Sequence, residues 1–156
     1  MHSRQTHLTP RVTGDQKGRP AEIHLMPGAT LTAWQAILST ALAPHDRVLV
    51  LGGDGAARHW ADLAQCAGLR VEILAQLTPK AVARRIGQDR YGMLKAVLVV
   101  AGDMAPRDVR AALDASFHDA LLFVDASGTP AADLAGAHAD IVLTDPRTGL
   151  ARLGAF

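Results

Sequence analysis

From Ile23 onward, short apolar runs alternate with longer segments in which apolar residues recur every three to four positions. These are the two periods of strands and helices. The runs RVLVLG (47–52), RVEIL (70–74), KAVLVVAG (95–102), ALLFVD (120–125) and DIVLTD (140–145) are short, β-branched and mostly apolar. That pattern predicts parallel strands covered on both faces. Between them, PGATLTAWQAILSTAL lines up Leu31, Trp34, Ile37, Leu38 and Leu42 on one helical face, with Thr32 and Gln35 spaced for a capping box. The segment AARHWADLAQCAG puts Trp60, Leu63, Ala64 and Ala67 on a stripe and stops at Gly68, which suits a left-handed cap. TPKAVARRIGQD opens with Thr78 as N-cap and Pro79 at the first helical position, while PRDVRAALDASF opens on Pro106 and aligns Val109, Leu113 and Phe117. A weaker helical pattern runs from Pro130 to Ala137.

Strands alternating with helices, and no hairpin signal between them, predict an α/β fold: a doubly wound, mostly parallel sheet with helices on both faces, a three-layer αβα domain. Residues 1–22 break the rhythm. They are polar, mixed in sign and punctuated by Pro10, Gly14, Gly18 and Pro20, and they predict a flexible arm ahead of one α/β domain over 23–156. A chain of 156 residues suits a single core of that size. In such sheets ligands bind at the carboxyl ends of the strands.

Composition narrows the field mostly by exclusion. Charged residues make up 20% of the chain and the formal net charge is +1, which provides no electrostatic case for nucleic acid or an acidic membrane surface. Aromatics contribute 4%, so Leu, Val, Ile and Ala must fill the core. The single cysteine, Cys66, allows no internal disulfide and reads as a small core residue of its helix, in keeping with a reducing, cytoplasmic setting. No apolar run reaches the roughly 20 residues that cross a bilayer, and the first residues lack the apolar middle of a secretory signal. The seven histidines show no metal-ligand spacing, and His59 with Asp62 reads as a solvated pair, so no metal is expected. No Ser-His-Asp arrangement or nucleophile elbow is present.

Three strand ends carry candidate chemistry. Gly53 and Gly55 are spaced as the start of a dinucleotide fingerprint, the basis of a small Rossmann-like nucleotide-binding alternative. Arg58 stands where the third small residue belongs, and RVEILAQL has no acidic residue for a ribose, so a tight strand-to-helix turn accounts for the glycines better. Gly28 and Thr30 precede the first helix, whose free N–H groups would suit a phosphate; Thr30 or Thr32 acting only as a cap is the plainer reading. Asp125 closes a strand and could meet a ligand cation or cap the turn that follows.

Taken in order, PGATLTAWQAILSTALAPHDRVLVL, HWADLAQCAGLRVEIL, KAVLVVAGDM, HDALLFVDASG and ADIVLTDPRTGLARLGAF resemble the large, coenzyme-binding domain of the class V aminotransferases, over about residues 24–156. The resemblance implies that Gly28, Ala29 and Thr30 form the phosphate turn for pyridoxal phosphate and that Asp125, with Ser127 beside it, faces the pyridine nitrogen. It also implies losses. The ring-stacking aromatic falls near Ala56, the acidic-hydroxyl pair near Asp103 and Met104, and the Schiff-base lysine falls on Thr148; Arg147 before it could attract a phosphate or carboxylate, a solvated surface arginine being the plainer reading. Threonine cannot form an imine or shuttle the proton that transamination moves.

The resemblance therefore leads to the expectation of a catalytically degenerate binding, assembly or regulatory subunit with no bound cofactor, or with pyridoxal phosphate held only non-covalently in a vestigial pocket. The alternative is a pyridoxal phosphate-dependent, aminotransferase-type enzyme whose lysine comes from a partner chain or whose cofactor is held without a covalent bond. Relative to the family the chain is short at both ends, and the surfaces this would bare lead one to expect a homo-oligomer or a heteromer with an aminotransferase-like subunit.

Overall fold

A computed structural model describes residues 30–127 and 138–143, with side chains described from residue 34 onward. The expected arm over 1–22, Gly28, Ala29, the helix over 130–137, Arg147 and Thr148 lie outside the described residues. Nine elements are described: α1 (Thr30–Ala41), β1 (Arg47–Leu51), α2 (Gly55–Cys66), β2 (Arg70–Leu74), α3 (Pro79–Gln88), β3 (Leu94–Val100), α4 (Pro106–Ala115), β4 (Leu121–Asp125) and β5 (Ile141–Leu143). Every apolar run becomes a strand; β1, β3 and β4 are rich enough in Val and Leu to be buried on both faces, while β2 and β5 are only partly covered at the edges of the sheet.

The five strands are all parallel and run in the order β2-β1-β3-β4-β5. Chain direction across the sheet reverses at β1, so the crevice between β1 and β3 is the topological switch point. Alternate residues of each strand face opposite layers. On one face Leu49, Leu51, Val97, Val99, Leu122 and Val124 pack under α3 and α4, through Val82, Ile86, Val109 and Leu113. On the other, Val48, Val50, Ala96, Leu98 and Phe123 pack under α1 and α2, through Trp34, Leu38, Trp60 and Ala64. The chain is thus a doubly wound, three-layer α/β domain.

The helix ends expose where pattern reading succeeds and where it fails. Thr78 caps α3 by accepting the Ala81 N–H at 3.2 Å, with Pro79 at the first helical position. Gly68 adopts a φ of 80° after α2, the left-handed stop its position predicts. Thr32, in contrast, lies within α1, which begins at Thr30, and so is not its N-cap. Cys66 is exposed at the last turn of α2, on its solvent side, and is not a core residue. Phe117 does not extend the Val109–Leu113 stripe: it lies beyond α4 and is 93% exposed.

The reason is a complete Schellman stop at the end of α4. The Phe117 N–H donates to the Asp114 carbonyl at 3.1 Å and the His118 N–H to the Leu113 carbonyl at 2.9 Å. This closure needs a left-handed residue, and Phe117 holds it at φ 50° where glycine is usual. His45 and His138, ahead of β1 and β5, also have positive φ.

A polar junction fastens this end of the sheet. The largely buried Asp89 carboxylate accepts from Leu94 N–H at 2.7 Å, Met93 N–H at 3.1 Å and His118 Nε2 at 3.0 Å, tying the α3–β3 turn to the end of α4. Burial works to raise the Asp89 pKa, but the Leu94 N–H, the His118 ring and the Met93 N–H outweigh it and hold the carboxyl below its ordinary value of 3.8. A carboxyl depressed in the folded state contributes stability that is present above its unfolded pKa and lost as pH falls through the folded one. Urea midpoints should accordingly fall as pH drops below about 4, with Asp89→Asn flattening that acid limb. An acid limb identical in the variant would show that Asp89 has no part in it.

Candidate functional site

The carboxyl ends of β1, β3 and β4 form the edge at which this topology places ligands. After β1 the chain turns at once into α2. Gly52 has φ 120°, and a Cβ there would stand 2.6 Å from the Ala57 Cβ on α2; one at Gly53 would stand 3.1 Å from the Ala75 Cβ. Close packing of the turn against its neighbours therefore requires these small residues, with no nucleotide needed to account for them. After β3, Met104 is buried beneath α3 and α4 while Asp103 is exposed.

Asp125 ends β4 beside Val100 of β3 and is buried. Phe123 two residues earlier faces α1 and α2, so the Asp125 side chain enters the same layer. There its Oδ2 accepts the indole N–H of Trp60 at 2.9 Å, and its Oδ1 accepts the Ser127 N–H at 2.9 Å and the Ser127 hydroxyl. The Ser127 contacts form the cap of the following turn that the sequence allowed; the Trp60 contact, across 65 residues, had no local signal beyond the requirement that a buried indole N–H find an acceptor. Trp34 of α1 packs edge-on against Trp60 with ring centroids 3.5 Å apart. The Trp34 indole N–H is buried and has no hydrogen-bond partner among the described residues.

Ala56 lies near this corner, one helical turn before Trp60, whereas the described lysines do not. Ala56, at the ring-stacking position, is exposed on the first turn of α2. Lys80 is on α3, whose apolar residues pack on the opposite face of the sheet from the Asp125 side chain. Lys95 starts β3 at the amino end and donates to the Gly92 carbonyl at 3.1 Å. His59 does not pair with Asp62; Arg58 does, at 3.9 Å. No group of His, Cys, Asp or Glu among the described residues could hold a metal ion, and no described helix is long and apolar enough to cross a membrane.

This parallel sheet with helices on both faces is the large-domain fold of solved pyridoxal phosphate-dependent aminotransferases. Among solved structures it superposes on pyridoxamine–pyruvate aminotransferase from Mesorhizobium loti with a TM-score of 0.60 and 21% identity, over 73% of this chain and 32% of that one. Ureidoglycine–glyoxylate aminotransferase from Bacillus subtilis gives a TM-score of 0.56 and 23% identity over 65% and 28%. No family model matches the chain. In sequence it is a relative of the class V aminotransferases: it is 33% identical over 128 residues to the serine–glyoxylate aminotransferase of Methylorubrum extorquens, covering 75% of this chain and 31% of that protein. It is 30% identical over 120 residues to the L-aspartate–glyoxylate aminotransferase of Paracoccus denitrificans, 70% of this chain and 30% of that one. The chain spans just under a third of the length of these relatives.

The described residues do not fit a coenzyme held through an imine. Both Asp125 oxygens already accept hydrogen bonds within the chain, and no described lysine lies on its layer at the carboxyl edge. The carboxylate can still accept a further N–H through a spare lone pair, which is the non-covalent part of such a site alone.

Proposed function

We propose that this chain is a catalytically silent relative of the class V aminotransferases that acts by binding, as an assembly or regulatory subunit. The observation that carries this reading is Thr148, which stands where the resemblance puts the Schiff-base lysine. A hydroxyl neither condenses with an aldehyde to an imine nor carries the proton between substrate and ring carbons. The placement of Lys80 across the sheet and of Lys95 at the far edge supports it, since neither stands in for the missing amine. The retained Asp125 favours one secondary reading, a pocket that holds a pyridine ring without a covalent bond.

The test is to add pyridoxal phosphate to the purified chain, reduce with borohydride and weigh the intact protein. The expected result is no stoichiometric adduct, only scattered labelling of Lys17, Lys80 and Lys95, and no amino-group exchange between amino and 2-oxo acids. One coenzyme fixed per chain, or exchange by the protein alone, overturns the reading. Calorimetric heat without fixation would assign the secondary one.

A further inference from the structure

His118 lies at the amino edge of the sheet, away from the site above, and is held at three points. Its backbone N–H donates to the Leu113 carbonyl at 2.9 Å in the stop of α4. Its ring reaches two further elements. Nε2 lies 3.0 Å from Asp89 Oδ2 in the α3–β3 turn, and Nδ1 accepts the Ala120 N–H at 3.1 Å just ahead of β4. The imidazole is 5% exposed and the Asp89 carboxylate 8%. One side chain thus joins the α3–β3 turn to the entry of β4.

The Ala120 contact fixes the protonation of the ring. An amide N–H needs a lone pair to meet it, so Nδ1 carries no proton. The single proton of the neutral imidazole therefore sits on Nε2, where it donates to the Asp89 carboxylate. An imidazolium has two donors and no acceptor. A second proton at Nδ1 would point at the Ala120 N–H, donor against donor, while the Nε2 bond to Asp89 would persist and gain the strength of a charged pair. Protonation breaks one of the ring's two links and tightens the other.

The surroundings leave room for that exchange. Asp89 faces the ring from the α3–β3 turn; Arg110 and Asp114 of α4, Asp119 beside it in the chain and Asp140 ahead of β5 line one shallow concavity with it. The nearby cations are already matched, since Arg110 pairs with Asp114 at 2.9 Å and Asp140 at 3.6 Å, and Arg85 of α3 pairs with Glu72. Phe117 and Asp119 on either side of His118 are exposed, so this short segment can shift without unpacking the core. We infer that His118 is a proton-operated latch: the neutral ring holds the Ala120 amide at the entry of β4, and a proton at Nδ1 releases that amide while Asp89 keeps the ring. The latch is independent of whether the carboxyl edge binds a coenzyme.

Nitrogen NMR of the histidine rings, together with amide hydrogen exchange of the full chain, tests it between about pH 8 and about pH 5, where imidazoles take up a second proton and carboxylates stay ionised. At the upper end His118 should show a bare Nδ1 and a protonated Nε2. As the ring gains its second proton, the protection factor of the Ala120 amide should fall roughly tenfold, as for the loss of one hydrogen bond. The Gly52 N–H, bonded to the Leu74 carbonyl at the other edge, should keep its protection. His118→Asn keeps an acceptor near the place of Nδ1 and takes no proton, so there the Ala120 protection factor should be the same across the range. A proton on Nδ1 at the upper end, a ring still neutral at about pH 5, or an Ala120 amide that does not follow the ring overturns the proposal. So does a fall in Ala120 protection that persists in His118→Asn. The unaltered chain alone decides the matter where the variant is too unstable to fold.

Discussion

Gly52→Ala is expected to lower stability by about 3 kcal/mol, from a backbone region that side chains rarely enter and from overpacking against α2. The φ of 120° and the 2.6 Å approach to the Ala57 Cβ act together, because Ala57 is fully buried and has no room to retreat. Thermal or urea unfolding of the variant measures it. The neighbouring Gly55→Ala is the control: φ is 53° there but a Cβ meets nothing within 4 Å, so its loss should stay near 1 kcal/mol. Equal losses at the two positions would show that the packing contact contributes nothing.

Asp125→Ala should cost a similar amount, about 3 kcal/mol, for a different reason. It strands the Trp60 indole N–H in the core and opens the Ser127 turn, and a buried donor without an acceptor costs its full desolvation. Asp125→Asn keeps one acceptor oxygen, enough for the indole or the turn but not both, so roughly half the loss should remain. The graded series Asp, Asn, Ala separates a structural clasp from a ligand carboxylate. A variant that loses coenzyme heat yet keeps its unfolding midpoint would assign Asp125 to the ligand alone.

How much of this could be read in advance depends on how far apart the cooperating residues lie. Strands such as RVLVL and LLFVD announce themselves because burial on both faces leaves no room for polar residues, and the structure places them within a residue or two of expectation. The start of α3 with its Thr78 cap and the stop after α2 at Gly68 are local and equally legible. Phe117 was misplaced because helical spacing continues through it while the stop that ends α4 lacks the glycine that normally marks it. Cys66 shows that a position beside an apolar stripe, in a last turn, can still face water. At the site, Asp125 was visible as a strand-end carboxylate, but its partner Trp60 was hidden, since periodicity shows which face is buried and not which buried donor meets which acceptor. The substitution at 148 was legible only through the resemblance, for no local pattern marks a residue that has been replaced.

The chain contains two tryptophans, and both belong to the one corner where Asp125 receives the Trp60 indole. Its ultraviolet emission is therefore a native gauge of that corner alone: a molecule settling over Asp125 should shift or quench the light, whereas a change confined to the amino edge of the sheet should leave the spectrum unchanged.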